Sequence, residues 1–110
     1  MEISTKDMKR VSLVTVSGRV DSATAPDFEK ALQALIQANR SQVILDLKGV
    51  EYMSSAGIRG MVSALKAAKN GGGDVRLAQP STRVRDVLEL AGLVSIFTIY
   101  QDLVEAVGSF

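Results

Sequence analysis

Residues 50–60 read VEYMSSAGIRG, and the fold turns on how this stretch is read. Just upstream, residues 43–47 read VILDL. That run is short, nearly all apolar and β-branched, which predicts a buried strand of a parallel sheet. Downstream, Ile58, Met61, Val62 and Leu65 recur at helical spacing. They predict a helix over residues 56–69, closed by Asn70-Gly71. A short connection is expected between strand and helix. Ser54 and Ser55 then stand where a helix begins, at the carboxyl end of a strand, where open α/β sheets place their sites.

Two roles suit such serines. As an N-cap, a serine oxygen accepts an orphan backbone N–H, and losing that bond costs about 1 kcal/mol. Ala56, Gly57 and Gly60 then serve only close packing or a tight turn. As a modification site, a serine here would carry a phosphate, bringing about −1.5 to −2 charges and three acceptor oxygens. The free N–H groups and dipole of a helix N-terminus favour an anion. Phosphorylation would therefore leave the fold intact and change what the surface binds.

Working outward, residues 2–9 predict a short edge strand, turn-like around Lys6-Asp7. Val11, Leu13, Val14 and Val16 predict a second strand over residues 11–16, and Gly18 marks a bend or bulge. A polar loop over residues 21–25 leads into a helix over residues 25–39, with Phe28, Ala31, Leu32, Leu35 and Ile36 on one face. Thr24 and Asp27 resemble a capping box, and Pro26 fits the first turn. Residues 71–73, GGG, precede a strand rather than follow one, so they read as a turn and not as a phosphate loop. Residues 74–78 predict a strand, ended by Pro80. Ser81 caps the next helix, which uses Val84, Val87, Leu88 and Ala91 and stops at Gly92. A strand over residues 96–100 and a last helix from Asp102 to about Val107, with Leu103, Val104 and Val107 apolar, complete the chain.

The order β-β-α-β-α-β-α-β-α defines an α/β fold with a mixed, mostly parallel sheet of about five strands. The first strand is antiparallel to the second. Right-handed crossovers that keep adding to one edge put the four helices mainly on one face. A single domain over residues 1–110 is expected.

Composition narrows the function. With 13 basic and 12 acidic residues the net charge is +1, which offers nothing to nucleic acid or to an anionic membrane. No run is long and apolar enough for direct membrane insertion. The opening residues, MEISTKDMKR, lack the pattern of a signal peptide, so a cytoplasmic protein is expected. The chain has no Cys and no His. Disulfides, Ser-His-Asp triads, Cys-His pairs and conventional zinc sites are thereby excluded. No G-x-x-x-x-G-K-[ST] or G-x-G-x-x-G stretch follows a strand. This inventory removes several enzyme classes and points to no catalytic residue, cofactor or metal; no carboxylate spacing suggests acid–base catalysis.

Four stretches occur in an informative order: GRVD (residues 18–21), VILDL (43–47), YMSSAGI (52–58) and AGL (91–93). Together they resemble a STAS domain, and among STAS domains the bacterial anti-sigma factor antagonists. The resemblance covers nearly the whole chain. It implies a protein-binding switch with no enzymatic activity of its own. Such antagonists bind an anti-sigma factor that is also an ATP-dependent serine kinase, which frees the sigma factor. The kinase phosphorylates a serine at the start of the helix and the complex falls apart; a serine phosphatase resets it. ATP belongs to the kinase.

Aligned on Met53 and Gly57, the resemblance makes Ser55 the phosphoacceptor, with Ser54 a competing one. It places Asp21, Ser22 and Thr24 beside it, and with Ser54, Ser55, Ala56, Gly57 and Arg59 they form the expected partner surface. Many antagonists read M-D-S-[ST]-G where this chain reads M-S-S-A-G, so a common acid and a second hydroxyl are missing. The plain reading of Asp21 is a solvated loop carboxylate or a cap, and that of Asp46 a structural carboxylate near the sheet end. A small-molecule enzyme would need a deep polar pocket with converging charged groups, for which the sequence offers no candidate set, and two other functions compete. One is a STAS adaptor subunit of a lipid-transport or signalling complex, with no phospho-switch. The other is a phosphorelay receiver using Asp46. A receiver needs an acidic pair after its first strand and a loop after the acceptor; here no acidic pair follows residues 11–16, and Leu47 follows Asp46.

Overall fold

A two-residue turn starts the sheet. The computed structural model describes residues 1–110 and pairs β1 (Glu2–Met8) antiparallel with β2 (Val11–Val20), Met8 opposite Val11. The turn is thus Lys9-Arg10, with Lys9 at φ 56°. It is not at Lys6-Asp7, which lie inside the strand opposite Leu13 and Ser12. β1 is mostly exposed, and its polar side chains mark it as an edge.

The remaining elements are α1 (Ala25–Gln37), β3 (Gln42–Met53), α2 (Ser55–Asn70), β4 (Asp74–Ala78), α3 (Thr82–Leu90), β5 (Ile99–Tyr100) and α4 (Leu103–Gly108). The strands lie in the order β1-β2-β3-β4-β5, and every pair after the first is parallel. Each crossover adds a strand to the same edge, so right-handed connections stack α1, α2 and α3 on one face. Alternation does the rest. Val43, Leu45 and Leu47 of β3, with Val75 and Leu77 of β4, meet Phe28, Leu32, Met61, Ala64, Leu65, Val84 and Leu88 in the main core. Fully burying a side chain such as Phe28 or Leu32 is worth roughly 1.5–3 kcal/mol.

The opposite face is smaller. Val11, Ile44 and Ala78 are covered there by Ala106, flanked by Leu103, Val107 and Phe110. Arg76 pins this end down. Its Nη1 donates to the Ser109 carbonyl at 2.6 Å, and its guanidinium lies 3.9 Å from the centre of the Phe110 ring. Three helices on one face and the last on the other agree with the expected arrangement.

Several local expectations give way. β3 is twelve residues long rather than five, and it runs to Met53 with only Ser54 between it and α2. Its second half pairs only with β2, which also continues past Gly18. Two register irregularities, between Thr15 and Ser17 and between Gly18 (φ 86°) and Arg19, keep these long arms paired. Lys48, Gly49 and Glu51 interrupt the apolar run while Val50 and Met53 stay buried, which is why the strand reads as ending early. α1 ends two residues sooner than expected, at Gln37. Its capping box does not form: Thr24 makes no side-chain cap bond, because its hydroxyl is turned into the preceding loop. β5 shrinks to two residues. Ala91 is exposed as the cap of α3, and Val104 is exposed while Ala106 takes the inward position on α4.

Candidate functional site

β2 and β3 end side by side. Val20 stands opposite Met53, and the next residue, Ser54, donates its N–H to the Val20 carbonyl at 2.7 Å. That bond ties the start of α2 to the loop between β2 and α1. Ser54 is extended, and its Oγ accepts from the Gly57 N–H at 3.2 Å. Ser54 is therefore the N-cap. Ser55 is the first helical residue; it is exposed, and its hydroxyl makes no hydrogen bond within the chain. The cap role thus falls to Ser54 and leaves the Ser55 hydroxyl free.

Gly57 makes this closeness possible. A Cβ there would lie 2.5 Å from Met53 Sδ and 2.8 Å from Val20 Cγ1. Without a side chain, the first turn of α2 rests directly on the two strand ends. Gly60, one turn on, sits against α1, where a Cβ would lie 3.2 Å from Glu29 Cβ.

The β2–α1 loop is organised by Asp21. Its Oδ1 accepts from the N–H of Ala23 at 3.0 Å and of Thr24 at 3.1 Å, with the Thr24 hydroxyl at 3.2 Å. In return, the Asp21 N–H donates to Thr24 Oγ1 at 3.0 Å. The Thr24 N–H above all holds the Asp21 carboxyl below its ordinary value of 3.8; burial opposes this, while the Thr24 hydroxyl, the Ala23 N–H and the Arg19 guanidinium reinforce it. Asp21 is thus a dependable anion whose hydrogen bonds all fall on one oxygen, leaving Oδ2 uncommitted. Ser22 is exposed at the loop's tip. Beneath the loop, Arg19 and Tyr52 pair across β2 and β3, the guanidinium 4.5 Å from the ring centre. Such a contact contributes about 0.5–1 kcal/mol at an exposed site.

A cleft of about 780 Å³ runs from this junction between α2 and α3. Ser55, Ile58, Arg59 and Val62 line one wall, and Val87, Leu90 and Leu93 the other, with Lys66 at the far end. Leu90 is 90% exposed, and Arg59 forms no salt bridge within the chain.

The structure thus brings Asp21, Ser22, Thr24, Ser54, Ser55 and Ala56 together at one end of the sheet. Gly57 is among them but buried, so it shapes the surface rather than forming it. Arg59 stands one turn along, at the cleft. Sequence reasoning missed the α3 wall and the Arg19–Tyr52 pair. One signal pointed to the wall: Leu90 falls off the Val84–Val87–Leu88 stripe, an apolar residue with no place in the core.

Asp46 lies in the middle of β3, opposite the last residue of β4. Its Oδ1 accepts from the Lys48 N–H and from Gln79 Nε2, both at 3.2 Å. It is structural, as expected. β3 continues seven residues beyond it, and no set of acidic side chains gathers around it to hold a metal ion. The receiver reading fails on that geometry. No helix is long and apolar enough to cross a membrane.

Fold and site define an α/β domain with an exposed serine at the carboxyl edge of its sheet. The STAS domain family matches residues 2–106, and the chain belongs to that family. It is similar to BtrV of Bordetella bronchiseptica, assigned as an anti-sigma factor antagonist, at 29% identity over 110 residues, covering 100% of this chain and 95% of that one. An anti-sigma F factor antagonist of Paenibacillus polymyxa is 25% identical over 107 residues, covering 96% and 92%. In three dimensions, an anti-sigma factor antagonist from Mycobacterium paratuberculosis superposes with a TM-score of 0.89 at 27% identity, covering 98% of this chain and 92% of that one.

Proposed function

We propose that this protein is an anti-sigma factor antagonist, a binding switch in the cytoplasm that captures an anti-sigma factor and is released when Ser55 is phosphorylated. The partner is both anti-sigma factor and serine kinase. It transfers the γ-phosphoryl group of ATP to Ser55 Oγ, with loss of the hydroxyl proton and release of ADP. A serine phosphatase hydrolyses the ester and restores the binding form. The antagonist itself supplies no catalytic group, cofactor or metal, and it engages neither nucleic acid nor the membrane interior.

The observation that carries this reading is the division of labour at the start of α2. Ser54 Oγ is occupied as the cap, while Ser55 is exposed with a free hydroxyl at the first helical position. A phosphate there meets unpaired N–H groups and the positive end of the helix dipole, so the fold tolerates it. The surface around it, with Asp21, Ser22, Thr24, Ala56 and Arg59, is where the partner sits. Two negative charges introduced into that contact need only cost about 2.7 kcal/mol to weaken it a hundredfold.

The test is incubation of the protein and its Ser54→Ala and Ser55→Ala variants with ATP and the serine-kinase anti-sigma factor, followed by mass spectrometric mapping. The expected result is phosphate on Ser55 in the unaltered chain and in Ser54→Ala, none in Ser55→Ala, and loss of the complex on modification. Phosphate confined to Ser54 would overturn the choice of residue. Tight binding with no phosphate would replace the switch with a constitutive STAS adaptor.

A further inference from the structure

We propose that Arg59 is the counter-ion of Ser55 in its phosphorylated state. This rests on reading Ser55 as the phosphoacceptor and adds the residue that answers the modification. Ser55 and Arg59 lie four residues apart on α2, both exposed, and both line the same cleft. That spacing stacks their Cβ atoms about 5–6 Å apart on one face. Helical side chains lean toward the N-terminus, so the long arginine arm is carried back over the turn that holds Ser55. The acid lies N-terminal to the base, the favourable order for an i, i+4 pair. The guanidinium fork matches two phosphate oxygens at once.

Nothing in the chain competes for Arg59. The salt bridges join Arg40 to Asp7, Lys69 and Arg76 to Asp74, and Arg85 to Glu89. The α3 wall facing Arg59, at Val87, Leu90 and Leu93, is uncharged. From α1, Glu29 packs beside Gly60, and Asp21, across the junction, forms no salt bridge with Arg59. The other cation on the cleft, Lys66, lies eleven residues from Ser55, about 16 Å along the helix. The same counting separates the serines: four residues on from Ser54 is Ile58, which is buried and apolar. A phosphate on Ser55 gains a cation within reach, and one on Ser54 does not. Pairing lays the phosphate along α2 at the mouth of the cleft. It also neutralises a positive charge that the unmodified surface exposes.

The test uses the full chain with phosphoserine installed at position 55 during translation, titrated by phosphorus NMR. With Arg59 present, the second phosphate ionisation is expected to fall about 0.2–0.4 of a pH unit below that of Arg59→Gln. Arg59→Lys should retain part of the difference, and Lys66→Gln should leave it unchanged. Because Arg59 is exposed, these variants fold, which far-UV circular dichroism checks. Equal titrations with and without Arg59 overturn the proposal. So does an equal change from Lys66→Gln, which would report overall charge rather than a pair. The phosphate is installed and not enzymatically added, so failed kinase labelling strikes the phosphoacceptor reading alone, and equal titrations strike Arg59 alone.

Discussion

Replacing Gly57 with alanine tests whether the surface around Ser55 depends on direct contact between α2 and the strand ends. The new Cβ would meet Met53 Sδ at 2.5 Å and Val20 Cγ1 at 2.8 Å, distances at which something must shift. Neither neighbour has room: Val20 is fully buried and Met53 is 2% exposed. Overpacking of this kind costs about 1–3 kcal/mol, and alanine's helix preference returns at most about 1 kcal/mol. The net expectation is a loss of about 1–2 kcal/mol, or a melting temperature lower by roughly 5–10 °C for a domain of this size. Urea unfolding measures it directly, with an unchanged slope showing a change of stability without a change in the compactness of either state. Gly108→Ala is the control. It too is a helical glycine, but nothing lies within 4 Å of its Cβ position, so it should lose no stability. Truncating Val20 in the Gly57→Ala background removes one clashing partner, so the double variant should cost less than the sum of the two changes. A Gly57→Ala protein as stable as the parent would refute the packing argument and the place given to this glycine.

Two further outcomes follow from the same junction. Ser54→Ala should lose about 1 kcal/mol by thermal or urea unfolding, since it strips a cap bond, whereas Ser55→Ala should stay within about 0.5 kcal/mol of the parent; equal losses would contradict the division of roles. Asp21→Asn should open a stability gap with a definite pH dependence. Folding lowers the Asp21 pKa, so its contribution is fully present above the ordinary value of 3.8 and is lost as the pH falls through the lowered folded value. The gap between parent and variant, followed by denaturation across that acid range, should close on acidification; a gap that widened would show that the carboxylate is not the stabilised form.

The element order was legible because each crossover helix carries its own apolar stripe and its own punctuation. Ser81 caps α3 by accepting from the Val84 N–H at 3.2 Å, and Asp102 caps α4 by accepting from the Val104 N–H at 2.9 Å, both local events written in local sequence. Strand length was not legible. The second half of β3 is held by β2 alone, across two register irregularities, and pairing between residues some thirty positions apart leaves no mark on the periodicity of either. The capping box failed for a related reason. Thr24 has two sets of partners within reach, and the loop closed by Asp21 takes its hydroxyl before the helix does.

The same distinction between local and distant contacts divides the site. The serine pair and Gly57 could be placed from sequence because the end of a parallel strand and the start of the next helix are neighbours in the chain, whereas the Asp21 loop came beside them only through the resemblance to STAS domains. The cleft could not, since its walls come from α2 and α3, separated by β4. Yet its one exposed leucine was visible as an exception. On α3, Leu88 is fully buried and Leu90, two residues on, is 90% exposed. A rotation of about 200° separates them on a helix, so no tilt of α3 could bury both against the same sheet. This exposed leucine and an arginine that forms no salt bridge within the chain line one open cleft, where the proposed partner would sit. Ser55 stands at the end of that surface, so a charge added there bears chiefly on the near part of the cleft, within a screening length of about 8–10 Å.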